Sequence, residues 1–314
     1  MTTPLKVSRR LTVGDHVALV SPASPVRSAR VLALGRKRLE QFGLRVKTGR
    51  YALSEHGYLA GTDRERVHDL EAAFRDPEIK AIICTRGGYG VARLLPSFDL
   101  DLARRHPKPL VGFSDITALH LALQKAGVVS FWGPMPCSSL GWSPFSARSL
   151  QRALMSEVPA GRVPFAPGRR PITLRRGIAQ GRITGGTLSL LTSSLGTPYE
   201  VETRGRVVFI EDVDEEPFKV DRMLTQLTAA GKLTDAAGVA LGIFTGTDKR
   251  NCPGRLSLTM REVFADHLLP LKVPALRNVA VGHVPDQVTL PYGVAARMDA
   301  GAGTVTLLEA GVRA

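Results

Sequence analysis

Ser114 stands in Leu110-Val111-Gly112-Phe113-Ser114-Asp115, where a short apolar run gives way at once to about a dozen residues of helical pattern. A serine on so abrupt a strand-to-helix turn holds its hydroxyl out at the C-terminal edge of a sheet. Beside it lie the first N–H groups of a helix, which have no intrahelical partners. An exposed nucleophile next to donors able to receive an oxyanion is what acyl transfer requires. Serine is also a preferred N-cap residue, and an isolated Gly-x-Ser-Asp reads more readily as a helix cap. The choice between the two readings depends on whether the chain also supplies a base and an acid.

Seven histidines are candidates for the base. His120 is nearest in sequence, but six residues along one helix amount to a rise of ~9 Å, against the ~3 Å of a proton transfer. Packing or support is the role expected of it. His16, His56, His68, His106 and His267 fall in or beside ordinary elements. His283 ends an apolar run, follows Gly282 and begins a Pro-Asp loop, where an α/β unit carries active-site residues. An ordinary loop histidine is the competing reading. Glu211 is the matching acid. It ends Val207-Val208-Phe209-Ile210, and a carboxylate on so apolar a strand is costly unless an imidazole N–H or similar donor pairs with it. The following Asp212, Asp214, Glu215 and Glu216 lack the Asp-x-Asp-x-Asp-Gly spacing of a calcium loop and read as a solvated acidic turn.

The Thr85-Arg86-Gly87-Gly88-Tyr89-Gly90 loop lets a backbone N–H approach a carbonyl oxygen beside Ser114. Neither Gly-x-Gly-x-x-Gly nor a Gly-Lys-Ser/Thr loop is present, so a nucleotide cofactor is not expected. Arg86, at the mouth of the glycine loop, has the guanidinium fork that suits a free carboxylate, with a structural salt bridge as the equal alternative.

Strands alternating with helices must position these groups. Asp15 to Val20, Leu44 to Val46, Ile79 to Cys84, Leu110 to Gly112 and Val128 to Ser130 read as strands. A helix opening at Ser24-Pro25 and closing before Gly43, and another opening at the Thr62-x-x-Glu65 capping box, lie between them. Another helical piece starts at Val91. The pattern predicts an open parallel α/β sheet with ligands at the carboxyl ends of its strands. Residues 156–176, rich in Pro and Gly, read as a connection. The expected division is a nucleophile-bearing domain over 1–155, that linker, and a second domain over 177–314 carrying acid and base. The second domain has strands at Arg206 to Glu211 and Val239 to Phe244, a helix from Phe218 to Ala230, and hairpins in the tail.

The net charge of +14 invites a nucleic-acid partner, but the basic residues are scattered and aromatics are only 6% of the chain, so none is expected. No window approaches the ~20 apolar residues of a membrane span. The N-terminus has no apolar segment behind its charges, and Cys84, Cys137 and Cys252 form no Cys-x-x-Cys pair. A cytoplasmic location is therefore expected, with neither disulfide framework nor zinc site.

The glycine loop, Gly112-Phe113-Ser114-Asp115, Phe209-Ile210-Glu211-Asp212 with Pro217 to Met223 behind it, and Gly282-His283 together resemble the LD-carboxypeptidases. These are serine peptidases of the muramoyltetrapeptide carboxypeptidase and microcin-immunity type. The resemblance implies a Rossmann-like N-terminal domain and a smaller α/β C-terminal domain rich in β. It implies Ser114 as nucleophile, His283 as base, Glu211 as orienting acid, and the backbone N–H groups of Gly88 and Asp115 as the oxyanion hole. A homodimer without metal or cofactor is implied as well. Three functions follow: release of terminal D-Ala from murein tetrapeptides, cleavage of peptidyl or aminoacyl nucleotide conjugates, or binding of cell-wall peptides without chemistry.

Overall fold

The computed structural model describes residues 5–138, 140, 142–247 and 256–314; Cys252 and the first four residues lie outside them. The chain divides into two compact units. One comprises Met1–Pro159, Val288–Gly293 and Ala310–Ala314, the other Ala160–Gln287 and Val294–Glu309.

The first unit is built on a six-stranded sheet. Five of its strands are β1 (His16–Val20), β2 (Arg45–Thr48), β3 (Ile79–Cys84), β4 (Leu110–Gly112) and β5 (Phe131–Trp132). They lie parallel in the order β5-β4-β3-β1-β2, and Leu290–Pro291 adds an antiparallel edge beside β5. Parallel strands covered on both faces read as continuous apolar runs, and β3 and β4 are buried almost throughout. The helices are α1 (Ala29–Glu40), α2 (Asp63–Arg75), α3 (Leu100–Arg105), α4 (Thr117–Lys125) and α5 (Pro144–Met155). Thr62 and Glu65 form the expected capping box on α2. The start of α1 differs from expectation: its cap is Ser28, not Ser24, because Ser24 Oγ accepts the Tyr89 N–H instead. The last strand also begins later than expected. Val128 and Val129 pair with Lys6, which leaves Phe131 and Trp132 to join the sheet.

The second unit holds an eight-stranded sheet. Its strands are β6 (Gly161–Arg162), β7 (Ile172–Arg175), β8 (Ile178–Thr187), β9 (Val207–Glu211), β10 (Gly238–Leu241), β11 (Ala275–Arg277), β12 (Ala295–Asp299) and β13 (Thr304–Leu307). Their order is β6-β13-β12-β8-β9-β10-β11-β7, with β8 to β11 parallel and the flanks antiparallel. The helices are α6 (Leu188–Ser193), α7 (Pro217–Ala229) and α8 (Met260–Leu268).

Residues 156–176 are thus not a plain connection: β6 and β7 pair with β13 and β11 inside this unit. Edge strands of two and four residues are too short to show a period in sequence. The tail departs from the expected division too. Residues 288–293 and 310–314 return to the first unit, where Leu290–Pro291 pairs with β5 and Val312–Arg313 pairs with Ser8–Arg9. The strand expected to reach Phe244 ends at Leu241, after which Ile243 bridges Gly282.

Candidate active site

In the first unit, β4 stops at Gly112, a 3-10 turn takes Ser114–Ile116, and α4 begins at Thr117. Ser114 is not the cap of either helix. Those positions are Phe113 and Ile116, neither of which makes a side-chain cap hydrogen bond. Ser114 instead adopts a φ of +63°, a left-handed conformation that costs an L-residue ~1–2 kcal/mol. Such strain persists only where the surroundings over-determine it. Ser114→Gly is therefore expected to be more stable than Ser114→Ala by about 1 kcal/mol in urea unfolding. Equal stabilities would mean that the turn stores no strain.

Two buried groups hold the turn and a third holds the glycine loop beside it. His120 is fully buried; its Nε2 donates to the Gly112 carbonyl at 2.9 Å and its Nδ1 accepts from the Ser130 hydroxyl at 2.8 Å. Burial pushes its pKa down to about 4, so the ring is neutral and ties the end of β4 to the approach to β5. It is a support, as expected, not a base. The Asp115 carboxylate accepts the Val91 N–H at 2.9 Å and so clamps the glycine loop to the Ser114 turn. Burial raises its pKa to about 6. Arg66, also fully buried, donates to the carbonyls of Pro22 and Gly90 and pairs with Asp63.

The glycine loop lies directly against Ser114. A Cβ on Gly87 would come within 2.9 Å of Ser114 Cβ and 3.1 Å of its Oγ, so a larger residue would displace the serine. Gly88 has a φ of +124°. Among the described residues neither the Gly88 N–H nor the Asp115 N–H is hydrogen-bonded to another group. Arg86 donates from Nε to the Gly87 carbonyl at 3.2 Å and from one Nη to the Pro25 carbonyl at 3.3 Å. It has no carboxylate partner among the described residues.

The second unit brings Glu211 and His283 together, as the sequence suggested. Glu211 ends β9 fully buried; its Oε2 accepts from His283 Nδ1 at 2.8 Å and its Oε1 from the Thr187 hydroxyl at 2.6 Å. This hydrogen bond fixes the imidazole tautomer and leaves Nε2 as the basic atom. Burial alone would lower the His283 pKa. The Glu211 charge and hydrogen bond, joined by Asp212 and Asp214, outweigh burial and hold the pKa above its usual value. Gly282, at φ +139°, sits so close to Ile243 that a Cβ would meet its carbonyl oxygen at 2.5 Å. Only glycine allows the chain to present His283 from there.

The expected solvated turn is partly wrong. Asp212 is buried, accepts N–H bonds from Ser189 and Val213, and has a pKa pushed up to about 6 by burial and the Glu211 charge. Reasoning from sequence missed the Asp115 side chain and Thr187 as supports. For Asp115 only its apolar setting offered a signal. No group of three or more His, Cys, Asp or Glu among the described residues is placed to hold a metal ion. Cys84 and Cys137 are buried free thiols. No helix among the described residues is long and apolar enough to cross a membrane.

A strained serine after a parallel strand, facing a glycine loop, and a buried carboxylate–imidazole pair are components of a serine hydrolase. The chain belongs to the LD-carboxypeptidase family: residues 17–133 match that family's N-terminal domain and residues 180–298 its C-terminal domain. Its class is thus that of a serine-type carboxypeptidase. It is similar to the probable murein peptide carboxypeptidase of Bacillus subtilis, with 42% identity over 97% of this chain and 94% of that protein. Among solved structures, the muramoyltetrapeptide carboxypeptidase of Oxalobacter formigenes matches with a TM-score of 0.80 at 28% identity, covering 93% of this chain and 97% of that one. The MccF-like protein of Bacillus anthracis matches with a TM-score of 0.87 at 25% identity, covering 97% and 99%.

Proposed function

We propose that the chain hydrolyses the L,D-amide bond that releases the terminal D-alanine of a murein tetrapeptide, using Ser114, His283 and Glu211 as a triad. The observation that carries the reading is the buried 2.8 Å hydrogen bond between Glu211 and His283. A carboxylate that orients an imidazole is the arrangement that turns a serine hydroxyl into a nucleophile. The substrate class is supported by the similarity to the probable murein peptide carboxypeptidase of Bacillus subtilis and the muramoyltetrapeptide carboxypeptidase of Oxalobacter formigenes.

In this reading His283 Nε2 takes the proton of Ser114 as Oγ attacks the amide carbonyl. The oxyanion is received by the N–H groups of Gly88 and Asp115. His283 then protonates the departing D-amino acid, and water, activated by the same imidazole, hydrolyses the acyl-enzyme. The mechanism requires His283 Nε2 to come within hydrogen-bond reach of Ser114 Oγ. The setting we infer is a cytoplasmic homodimer acting in peptidoglycan recycling.

Incubation with an LD-tetrapeptide is expected to release D-Ala, detected by mass. Release of the amino acid from an aminoacyl-sulfamoyl adenylate, with the tetrapeptide untouched, would replace this reading with the microcin-immunity type. Hydrolysis of neither compound would point to a peptide-binding protein. Within the same proposal the remaining Nη of Arg86 takes the substrate's C-terminal carboxylate. Arg86→Ala should raise KM for the tetrapeptide about tenfold and hardly alter turnover of its C-terminal amide. Equal losses on both substrates would assign Arg86 to bracing the loop alone.

A further inference from the structure

A cleft of about 800 Å3 opens in the second unit, outside the residues assigned above, with Phe165, Arg169, Arg170, Ile172 and Asn278 among its lining. Arg169 and Arg170 are exposed, and neither has a carboxylate partner among the described residues. The charge there is one-sided in the sequence as well. Between Glu157 and Glu200 the chain carries six arginines and no acidic residue. One of them, Arg162, lies with its guanidinium carbon 4.9 Å from the centre of the Phe165 ring. That contact steadies the apolar wall without using the two arginines in the cleft. Some exposed cations here are taken up by surface carboxylates, as Arg182 is by Glu309. A pair left without them, in a concavity with an aromatic side, is suited to an anionic ligand.

The sheet fixes where this cleft lies relative to Glu211. Strands β9, β10 and β11 are parallel, with Ile210 opposite Leu241 and Ala240 opposite Leu276. Past these pairs the chain after β11 takes in extra residues, since the Val279 N–H donates to the Leu241 carbonyl and Gly282 bridges Ile243. Asn278 therefore falls beside Leu241, at the end of the sheet where β9 carries Glu211. Two strand spacings separate Asn278 from Glu211, or ~10 Å. Asn278 turns the chain there with a φ of +63°. An extended peptide advances ~3.3–3.6 Å per residue, so the cleft is about three residues from the acid–imidazole pair.

We propose that this cleft is an anion subsite for the substrate. It takes a carboxylate or phosphate at the end of the peptide remote from the scissile bond, and an apolar or ring portion packs on Phe165 and Ile172. This inference rests on the carboxypeptidase reading above. Its test uses LD-tetrapeptides with three N-terminal caps: neutral acetyl, carboxylate-bearing succinyl, and phosphonoacetyl. Dissociation constants are measured by calorimetry on Ser114→Ala protein, with and without Arg169→Ala/Arg170→Ala. Either anionic cap is expected to bind about tenfold more tightly than acetyl, and the preference to vanish in the double variant. The succinyl and phosphonoacetyl arms show which anion the cleft favours. Equal binding of all three caps, no binding of any, or a preference that survives loss of both arginines would overturn the subsite. Failure of the carboxypeptidase reading is seen separately, as absence of D-Ala release from every capped peptide by the unmodified enzyme.

Discussion

Ser114→Ala is expected to lower turnover of an LD-tetrapeptide by about 10⁵–10⁶-fold, the loss found when the nucleophile of a serine hydrolase is removed. The alanine keeps the Cβ and hence the same backbone conformation, so the turn, the glycine loop and the Asp115–Val91 clamp should survive. Thermal unfolding should stay within a few degrees of the parent, because only an Oγ is lost. Substrate binding should persist, since the reading assigns Ser114 to the chemical step alone. The measurement is single-turnover D-Ala release beside peptide binding. A variant that retains more than a thousandth of the activity would remove Ser114 from the mechanism.

Glu211→Gln is expected to cost about 10⁴-fold in kcat/KM. The glutamine is nearly isosteric, but its amide no longer requires a proton on His283 Nδ1, and the tautomer with a basic Nε2 loses its advantage. The variant also loses the charge that stabilises the imidazolium formed during proton transfer. The pH profile supplies a second, independent readout. His283 must be neutral to act as base, and its pKa is held above the usual 6.5, so kcat/KM should rise with pH through an apparent pKa above that value. Without Glu211 the burial of the ring dominates, and the acid limb should move to lower pH. An acid limb unchanged in Glu211→Gln would show that another group titrates there.

The linked effect on stability has the same origin. A histidine whose pKa is raised on folding contributes its full stabilisation below the unfolded value and loses it as pH rises through the folded one. The Glu211–His283 pair should therefore add least to stability above neutrality, where the imidazole is neutral.

Much of this site was legible from residue type and place. Ser114, Glu211 and His283 each sit where an apolar run meets a glycine or a sharp change of pattern, and those are the carboxyl ends to which an α/β sheet sends its functional groups. The capping box at Thr62 and Glu65 fixed the start of α2 for the same local reason. The start of α1 was misread because Ser24 and Ser28 are chemically equivalent caps. Only the loop across the sheet, through Tyr89, decides between them. The strain at Ser114 was invisible, since a φ value follows from what packs around a turn. The roles of His120 and Asp115 depend on Ser130 and Val91, partners that only the strand order brings near. Helix α8 was missed although Thr259 and Glu262 form a capping box readable in the sequence. The strands within 156–176 were hidden for a different reason, since an edge strand of two residues has no period to detect.

The central claim is that His283 activates Ser114. A fluorophosphonate that reacts only with an activated serine tests it most directly, with the labelled residue located by peptide mass. The account predicts a single adduct on Ser114, formed rapidly by the unmodified enzyme and at least a thousandfold more slowly in His283→Ala. An adduct on another serine, or labelling of Ser114 at the same rate without His283, would contradict it.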